Sequence, residues 1–135
     1  MRILVDTNVI LDVLLNRKDF IAASQGALEK AIQKGDRLYF SSASATDVYY
    51  LIRKQTGSKE TALNGIKKMA EFLTFAEVNE NCVLAATLSR ISDYEDAIVD
   101  AVGANLKADF ILTRNAADFK NAHCKAITPS DYVCS

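Results

Sequence analysis

The apolar positions of this chain occur in short continuous runs separated by longer stretches with helical spacing. Ile3, Leu4 and Val5 form the first run, a pattern typical of a strand buried on both faces of a parallel sheet. Asp6 follows at once and the sequence then turns helical, which places this carboxylate at the carboxyl end of the strand, where open α/β sheets bind ligands. Two interpretations stay open for Asp6: the N-cap of a helix over Val9 to Asn16, or a carboxylate that faces a cleft.

The same alternation continues along the chain. The predicted helices after the first are Phe20 to Lys34, a third helix that follows Ser41, Ser42 and Ser44 and ends near Gly57, a fourth that Ser58 caps, Asn81 to Ile91, Asp93 to Lys107, and a short helix at Thr128 to Asp131. The predicted strands after the first are Arg37 to Phe40, Phe72 to Val78, Asp109 to Thr113, and a stub at Ala126 and Ile127. Strands alternate with helices throughout, which predicts a three-layer α/β/α sandwich with a mostly parallel central sheet of about five strands.

Length and composition fit this fold and narrow the class of protein. A chain of 135 residues, 50% hydrophobic and 24% charged, predicts a single globular domain over residues 1–135. No apolar run reaches the length of a membrane span and no signal-peptide cleavage site follows the start, so a cytoplasmic location is expected. The cysteines are odd in number and lack the paired spacing of a zinc site, which favours free thiols at Cys82, Cys124 and Cys134.

Charge limits how the protein could attract a nucleic acid. The net charge of −1 gives no general field that draws in polyanions, so any attraction for phosphate has to be local. Tyr49 and Tyr50 could stack bases beside a group of basic residues on the third and fourth helices, although a solvated helix face with buried tyrosines is the more ordinary interpretation. The basic residues of this group are Arg53, Lys54, Lys59, Lys67 and Lys68, while Arg17, Lys18 and Arg114 are expected nearer the strand ends.

Four aspartates recur at predicted element boundaries: Asp6, Asp47, Asp96 and Asp118. Each has an ordinary explanation as a helix cap or as a first-turn acid that the helix dipole favours. A parallel sheet would nevertheless bring all four to one edge, where mutual repulsion raises their pKa values until a divalent cation neutralises them. Asp96 and Asp100 also share a helix face, and like charges at this spacing oppose each other without a cation between them. Mg²⁺ and Mn²⁺ prefer such oxygen ligands.

Four segments, taken together, resemble the PIN domain: Asp6–Asp12, Ser41–Asp47, Asp96–Ala101 and Ile111–Phe119. The resemblance covers the whole chain in order and is strongest to small bacterial VapC-type toxins of VapBC modules. It implies a ribonuclease that uses Mg²⁺ or Mn²⁺, with RNA as substrate, a small antitoxin as partner and a homodimeric state. The antitoxin would lay a helix across the apolar face of the third and fourth helices and fill the acidic cleft.

The resemblance also implies roles for individual residues. Asp6, Asp47, Asp96 and Asp118 are the expected catalytic acids, and Asp6, Asp96 and Asp118 the expected metal ligands. Asn8, Asp100, Thr113 and Asn115 are expected as accessory groups. Two positions depart from the family pattern: the third-helix acid is usually glutamate where this chain has the shorter Asp47, and an acid often stands where this chain has Asn115. Single-stranded or looped RNA is the expected substrate, because the chain has no recognisable duplex-reading module.

The sequence fits other function classes less well. A haloacid-dehalogenase phosphatase also begins with a strand-end aspartate, but a second aspartate follows two residues later, where this chain has Asn8. No glycine-rich nucleotide loop is present. His123 lies in a polar turn and is expected at the surface. The alternative that stays open is a PIN-like module that binds RNA or protein without cutting, because Asp47 and Asn115 are weaker ligands than the family pattern provides.

Overall fold

The central sheet determines where the carboxylates lie. The computed structural model describes all residues 1–135 and contains five parallel strands in the order β3-β2-β1-β4-β5. The strands are β1 (Arg2–Val5), β2 (Arg37–Ser41), β3 (Thr74–Ala76), β4 (Phe110–Leu112) and β5 (Lys125–Ile127). The sheet is parallel throughout, which confirms and sharpens the predicted architecture. Strand β1 is central, and its residues Ile3 and Leu4 pair with Leu38 and Tyr39 on one side and with Phe110 and Ile111 on the other.

Helices cover both faces of this sheet. They are α1 (Thr7–Leu14), α2 (Ile21–Gln33), α3 (Ala45–Thr56), α4 (Lys59–Phe72), α5 (Glu80–Thr87), α6 (Tyr94–Leu106) and α7 (Pro129–Cys134). Two short 3-10 turns lie at Ser42–Ser44 and Ala116–Phe119. Helix α1 begins directly after Asp6 and ends at Leu14, so it lies two residues earlier than the predicted helix over Val9 to Asn16. Strand β3 and helix α5 are shorter than predicted. None of these helices is both long and apolar enough to cross a membrane.

Alternating side chains of the strands build two cores. Ile3 and Val5 pack into a core with helices α1 to α4 and α7, whereas Leu4 between them faces a second core with α5 and α6. Burial on both faces explains the continuous apolar run with which the chain begins. Gly57 ends α3 with φ +69°, the left-handed conformation that a helix-terminating glycine adopts most easily. The predicted free thiols are confirmed, with Cys82 and Cys124 buried and Cys134 exposed.

Candidate metal-binding active site

An acidic cleft opens where β1 and β4 end. Its volume is about 400 Å³, and its polar lining is dominated by carboxylates and amides. The carboxylates come from three places in the chain: the end of β1, the start of α6 and the 3-10 turn after β4. The lining acids are Asp6, Asp93, Glu95, Asp96 and Asp118, and Asn8, Asn115, Thr7, Leu11, Arg17 and Leu51 complete the wall. Parallel strand ends thus bring distant acids to one edge of the sheet.

Asp6 is the most buried and best oriented of these acids, with 8% of the residue exposed. Its Oδ1 accepts a hydrogen bond from the backbone N–H of Thr7 at 2.8 Å, so it caps α1. Its Oδ2 accepts from the hydroxyl of Thr113 at 2.8 Å and from the amide of Asn8 at 3.4 Å. The two interpretations of Asp6 therefore both hold: it is a helix cap, and its second oxygen is fixed at the cleft by Thr113 and Asn8.

The start of α6 supplies the second group of acids. Asp93 is the N-cap, and its Oδ1 accepts from the backbone N–H of Asp96 at 3.0 Å. Glu95 and Asp96 follow in the first turn, where the positive end of the helix dipole favours carboxylates. The dipole accounts for acids here, but it does not account for the further acids that the β1 and β4 ends add to the same cleft.

The pKa values of Asp6 and Asp96 show that burial and crowding in the cleft disfavour their ionised forms. Burial raises the pKa of Asp6, and the neighbouring Asp118 and Asp93 charges add to the increase, while hydrogen bonds from Thr113 and Thr7 oppose it. The pKa of Asp96 rises to about 6, through burial first and then through repulsion by Asp6, Asp93 and Asp118. Removing water and crowding like charges both disfavour the ionised carboxylate. A bound cation would relieve both effects.

Glu95 joins Asp47 to this cleft. Partial burial raises the pKa of Glu95 to about 7, and the charge of Asp47 and a hydrogen bond to Asp47 contribute further. Asp47 itself is not part of the cleft wall, so its link to the site runs through the Glu95 side chain. The sequence signal for Glu95 and Asp93 is the acidic run that opens α6.

The donor set fits a hard divalent cation. Every charged group that these acids offer is a carboxylate oxygen, which Mg²⁺ and Mn²⁺ prefer, and no thiol or imidazole is among them. In the present side-chain positions no group of three or more His, Cys, Asp or Glu residues is arranged to hold a metal ion. Asn115 and Asp118 both line the cleft, so the 3-10 turn after β4 offers an amide and a carboxylate.

Asp100 is the predicted accessory residue that the structure places elsewhere. It is 2% exposed, and its carboxylate accepts from the backbone N–H groups of His123 and Cys124, both at 3.0 Å. The His123 ring Nδ1 lies 2.9 Å from Asp100 Oδ2, with 78% of the histidine side chain exposed. Asp100 thus fastens the 122–124 turn to α6 and lines a separate cavity, away from the acidic cleft.

Comparison with known proteins places this geometry in a family. A family model described as PIN domain matches residues 2–117. The chain belongs to the PIN domain family. The match includes all four segments that carried the resemblance except for the last two residues of Ile111–Phe119. No curated protein matches the sequence of this PIN domain at a significant level.

Solved structures share the fold of this PIN domain at low sequence identity. VapBC2 from Rickettsia felis, bound to a promoter DNA fragment, matches with a TM-score of 0.76 and 16% identity over 95% of this chain and 98% of that one. VapBC-1 from nontypeable Haemophilus influenzae matches with a TM-score of 0.68 and 18% sequence identity, over 96% of this chain and 99% of that one. FitAB bound to the IR36 DNA fragment matches with a TM-score of 0.70 and 18% sequence identity, over 95% of each chain. The shared fold therefore spans nearly the whole chain.

Helices α3 and α4 of the PIN domain present a mixed basic and apolar surface. Tyr50 is 64% exposed and packs edge-to-face against Tyr49, with ring centroids 5.1 Å apart, so the expectation of buried tyrosines is wrong for Tyr50. Arg53 donates to the Tyr49 hydroxyl at 3.1 Å. Leu51 and Leu63 are also exposed, and Leu51 reaches the wall of the acidic cleft. This surface therefore continues into the site.

Proposed function

We propose that this PIN domain is a metal-dependent ribonuclease that hydrolyses phosphodiester bonds in single-stranded or looped RNA, and that it is the toxin of a toxin-antitoxin module. One observation carries the proposal. Several carboxylates converge at one cleft, and none of Asp6, Asp47, Asp93, Glu95, Asp96 or Asp118 forms a salt bridge with a basic group of the chain. Uncompensated acids in a partly desolvated cleft favour a cation as the missing partner.

In the proposed mechanism Asp6, Asp96 and Asp118 would hold the metal, with Glu95 and Asp47 nearby. A bound Mg²⁺ or Mn²⁺ would supply an acidified water and offset negative charge at the phosphate. Thr113 and Asn8 keep the Asp6 carboxylate in one orientation through their hydrogen bonds to its Oδ2. Asp96 is held on the rigid first turn of α6, which Asp93 caps. Partial burial and the neighbouring Asp47 carboxylate raise the pKa of Glu95 to about 7.

The RNA strand is proposed to approach over α3. Tyr50 offers an exposed ring for stacking, and the basic side chains of α3 and α4 offer local attraction for phosphates on a chain whose net charge is −1. An unpaired strand suits this surface, because stacking on an aromatic ring requires a base that is free of its own stack.

The proposed partner is a small antitoxin. Its helix would cover Tyr50, Leu51 and Leu63, which form an exposed apolar strip on α3 and α4, and would reach the cleft beside Leu51. The VapBC structures that share this fold are complexes by their names, which supports a two-component module. A homodimer is proposed from the resemblance, and the exposed Leu84 on α5 and Leu88 directly after it are apolar residues that a dimer contact would bury. Sedimentation equilibrium of wild type and Leu88→Arg tests the dimer.

The ribonuclease proposal is tested by cutting a random-sequence single-stranded RNA pool with wild type, Asp6→Asn and Asp96→Asn in Mg²⁺, Mn²⁺ or EDTA. We expect cleavage that needs the metal and is lost in both variants. The pool should bind all three proteins without being cut in EDTA. RNA binding with no cleavage and no thermal stabilisation by Mn²⁺ would instead support a PIN-like module that binds without catalysis.

A further inference from the structure

A second hollow lies beside the acidic cleft and has no role in the ribonuclease proposal. Its volume is about 290 Å³, and Asp19, Phe20, Arg114 and Ser130 are among the residues that line it. The two sites meet at the end of β4, because Asn115 lines the cleft and its neighbour Arg114 lines the hollow. A strand whose phosphate lies in the cleft could therefore place an adjacent nucleotide here.

Buried groups hold Arg114 in place. Its Nε donates to Asp12 Oδ2 at 2.8 Å, and the Ser24 hydroxyl donates to the same oxygen at 2.7 Å. The Asp12 side chain is 0% exposed, while 25% of the Arg114 side chain remains accessible. Arg17, which lines the cleft, approaches the other Asp12 oxygen at 3.6 Å. One buried carboxylate thus holds Arg114 at the hollow by a hydrogen bond and also lies near Arg17 of the cleft.

The guanidinium of Arg114 has free donors and lies against an aromatic ring. Of its side-chain nitrogens only Nε donates to the protein, so the N–H groups of Nη1 and Nη2 have no protein acceptor. The guanidinium carbon lies 3.8 Å from the centroid of the Phe20 ring, and Phe20 is 40% exposed. An aromatic ring stacked with a guanidinium, beside free donors, is a combination that binds unpaired nucleic-acid bases.

The charges around the hollow favour a base over a phosphate. Asp19 contributes a carboxylate to the same hollow as Arg114, and Ser130 contributes a hydroxyl. A carboxylate repels a phosphate, whereas the edge of a base presents both donors and acceptors and can pair with a mixed set of side chains. The hollow therefore has the chemistry of a base-reading site.

We infer that the hollow formed by Phe20, Arg114 and Asp19 binds one unpaired RNA base adjacent to the phosphodiester bond in the acidic cleft, and so selects the sequence that is cut. This inference rests on the ribonuclease proposal. Phe20 and Arg114 act here as specificity-determining residues. Phe20 is the better residue to substitute, because removing Arg114 would leave the buried Asp12 carboxylate with only the neutral Ser24 hydroxyl and the more distant Arg17.

The test compares Phe20→Ala with Phe20→Tyr, which keeps the ring. Ile32→Ala is the matched control, since Ile32 is a 50% exposed apolar residue on α2, the helix that Phe20 precedes. A random-sequence single-stranded RNA pool first maps the preferred cleavage site. Short oligoribonucleotides with that site, intact or with one abasic residue at each flanking position, are then cut by each variant with Mn²⁺, and kcat and KM are measured separately.

Phe20→Ala should lower kcat/KM on the intact oligonucleotide about tenfold, mainly through KM, as expected for one lost stacking contact. An abasic residue at one flanking position should lower it similarly for wild type and should lower it no further for Phe20→Ala, because the two changes remove the same contact. Phe20→Tyr and Ile32→Ala should cut like wild type. A folding defect in Phe20→Ala would reduce cleavage of every oligonucleotide alike. It would therefore not make the effects of the substitution and of the abasic residue non-additive at one flanking position only.

Two results would overturn the inference. Wild-type rates for Phe20→Ala, or losses that add to the abasic effect at every position, exclude a base site at Phe20 while leaving the ribonuclease proposal standing. A wild-type protein that neither cuts nor binds the RNA pool overturns both.

Discussion

Asp96 and Asp100 lie one turn apart on the same helix, and their surroundings are opposite. The Asp100 carboxylate is buried and accepts from two backbone N–H groups, with the His123 ring beside it. The Asp96 carboxylate accepts no hydrogen bond from the chain and faces Asp6, Asp93 and Asp118. The protein supplies Asp100 with its partners and leaves Asp96 without one. Among acids at similar positions in the sequence, those whose carboxylates find no hydrogen-bond or charge partner in the protein are the candidates for metal binding or catalysis.

Asp12 and Asp6 repeat this contrast at the two ends of α1. Asp12 is completely buried, yet Arg114 and Ser24 bind it directly. Asp6 is bound only by neutral donors, from Thr7, Thr113 and Asn8, and it faces other carboxylates. Burial alone therefore does not mark the site. The distinguishing property is burial without a compensating positive charge.

The largest expected effect is on cleavage. Asp6→Asn and Asp96→Asn should each lower kcat/KM on RNA by about a hundredfold or more, because even the partners of metal ligands are commonly worth 10- to 100-fold. Asp96→Asn should be no less stable without metal, because it removes a repelling charge from a carboxylate that accepts no hydrogen bond from the chain. Chemical denaturation in EDTA measures the stability. Cleavage near the wild-type rate in either variant would erase the contrast between Asp96 and Asp100.

The second effect is on folding stability. Asp100→Asn should lower the free energy of unfolding by about 2 kcal/mol, because a neutral amide replaces a buried acceptor of several hydrogen bonds and presents an N–H₂ group to donors. The matched Asp96→Asn variant on the same helix should change it by less than about 1 kcal/mol. Urea denaturation of the two variants in parallel measures the difference. Equal losses would mean that the two aspartates are both structural.

The third effect is the response to metal. Mn²⁺ at a hundred times its dissociation constant should stabilise the wild type by about 2.7 kcal/mol if it binds only the folded protein. Asp6→Asn should lose most of this gain, whereas Asp100→Asn should keep it despite its lower starting stability. Thermal unfolding across a Mn²⁺ titration follows both. A gain of the same size in Asp6→Asn would place the metal outside the cleft.

The smallest effect is the pH dependence of stability in EDTA. Asp96 has its pKa raised from 3.8 to about 6, and Glu95 from 4.5 to about 7. Between these values the folded protein binds more protons than the unfolded chain, so the contribution of these groups to stability is present at low pH and is lost as pH rises through this window. Asp96→Asn with Glu95→Gln should flatten that decline. A decline unchanged in the double variant would assign it to other groups.

Much of the fold could be predicted from the sequence because apolar runs and helix signals are local. The apolar run at Ile3, the Ser58 cap of α4 and Gly57 each indicate their structure within a few residues. The predicted serine cap of α3 is wrong, because Ser44 precedes that helix without a side-chain cap hydrogen bond. The boundaries of β3 and α5 were less exact, since their ends depend on pairing with distant segments. The strand β3 pairs only with β2, and the predicted ends at Phe72 and Val78 lie outside that pairing.

The site was less predictable, because it depends on which acids the fold brings together. Glu95 and Asp96 are adjacent first-turn acids, and only the structure shows that Glu95 contacts Asp47 from another helix. Asp100 lies in the same family-like segment as Asp96 and was expected as an accessory group, but its carboxylate binds a turn 23 residues further along the chain. The role of Asp12 required knowing that Arg114, 102 residues away, covers it.

The position of β1 at the centre of the sheet has a consequence for the order of folding. The hydrogen bond from Thr113 to Asp6 joins residues 107 positions apart, and β1 gains its second neighbour only when β4 is available. Contacts of such long range close late and slowly. A nascent chain that has not yet delivered β4 from the ribosome cannot complete the cleft. A partial chain that ends before β4 also lacks Thr113 and Asp118, so the assembled cleft exists only once nearly all of the domain has been synthesised.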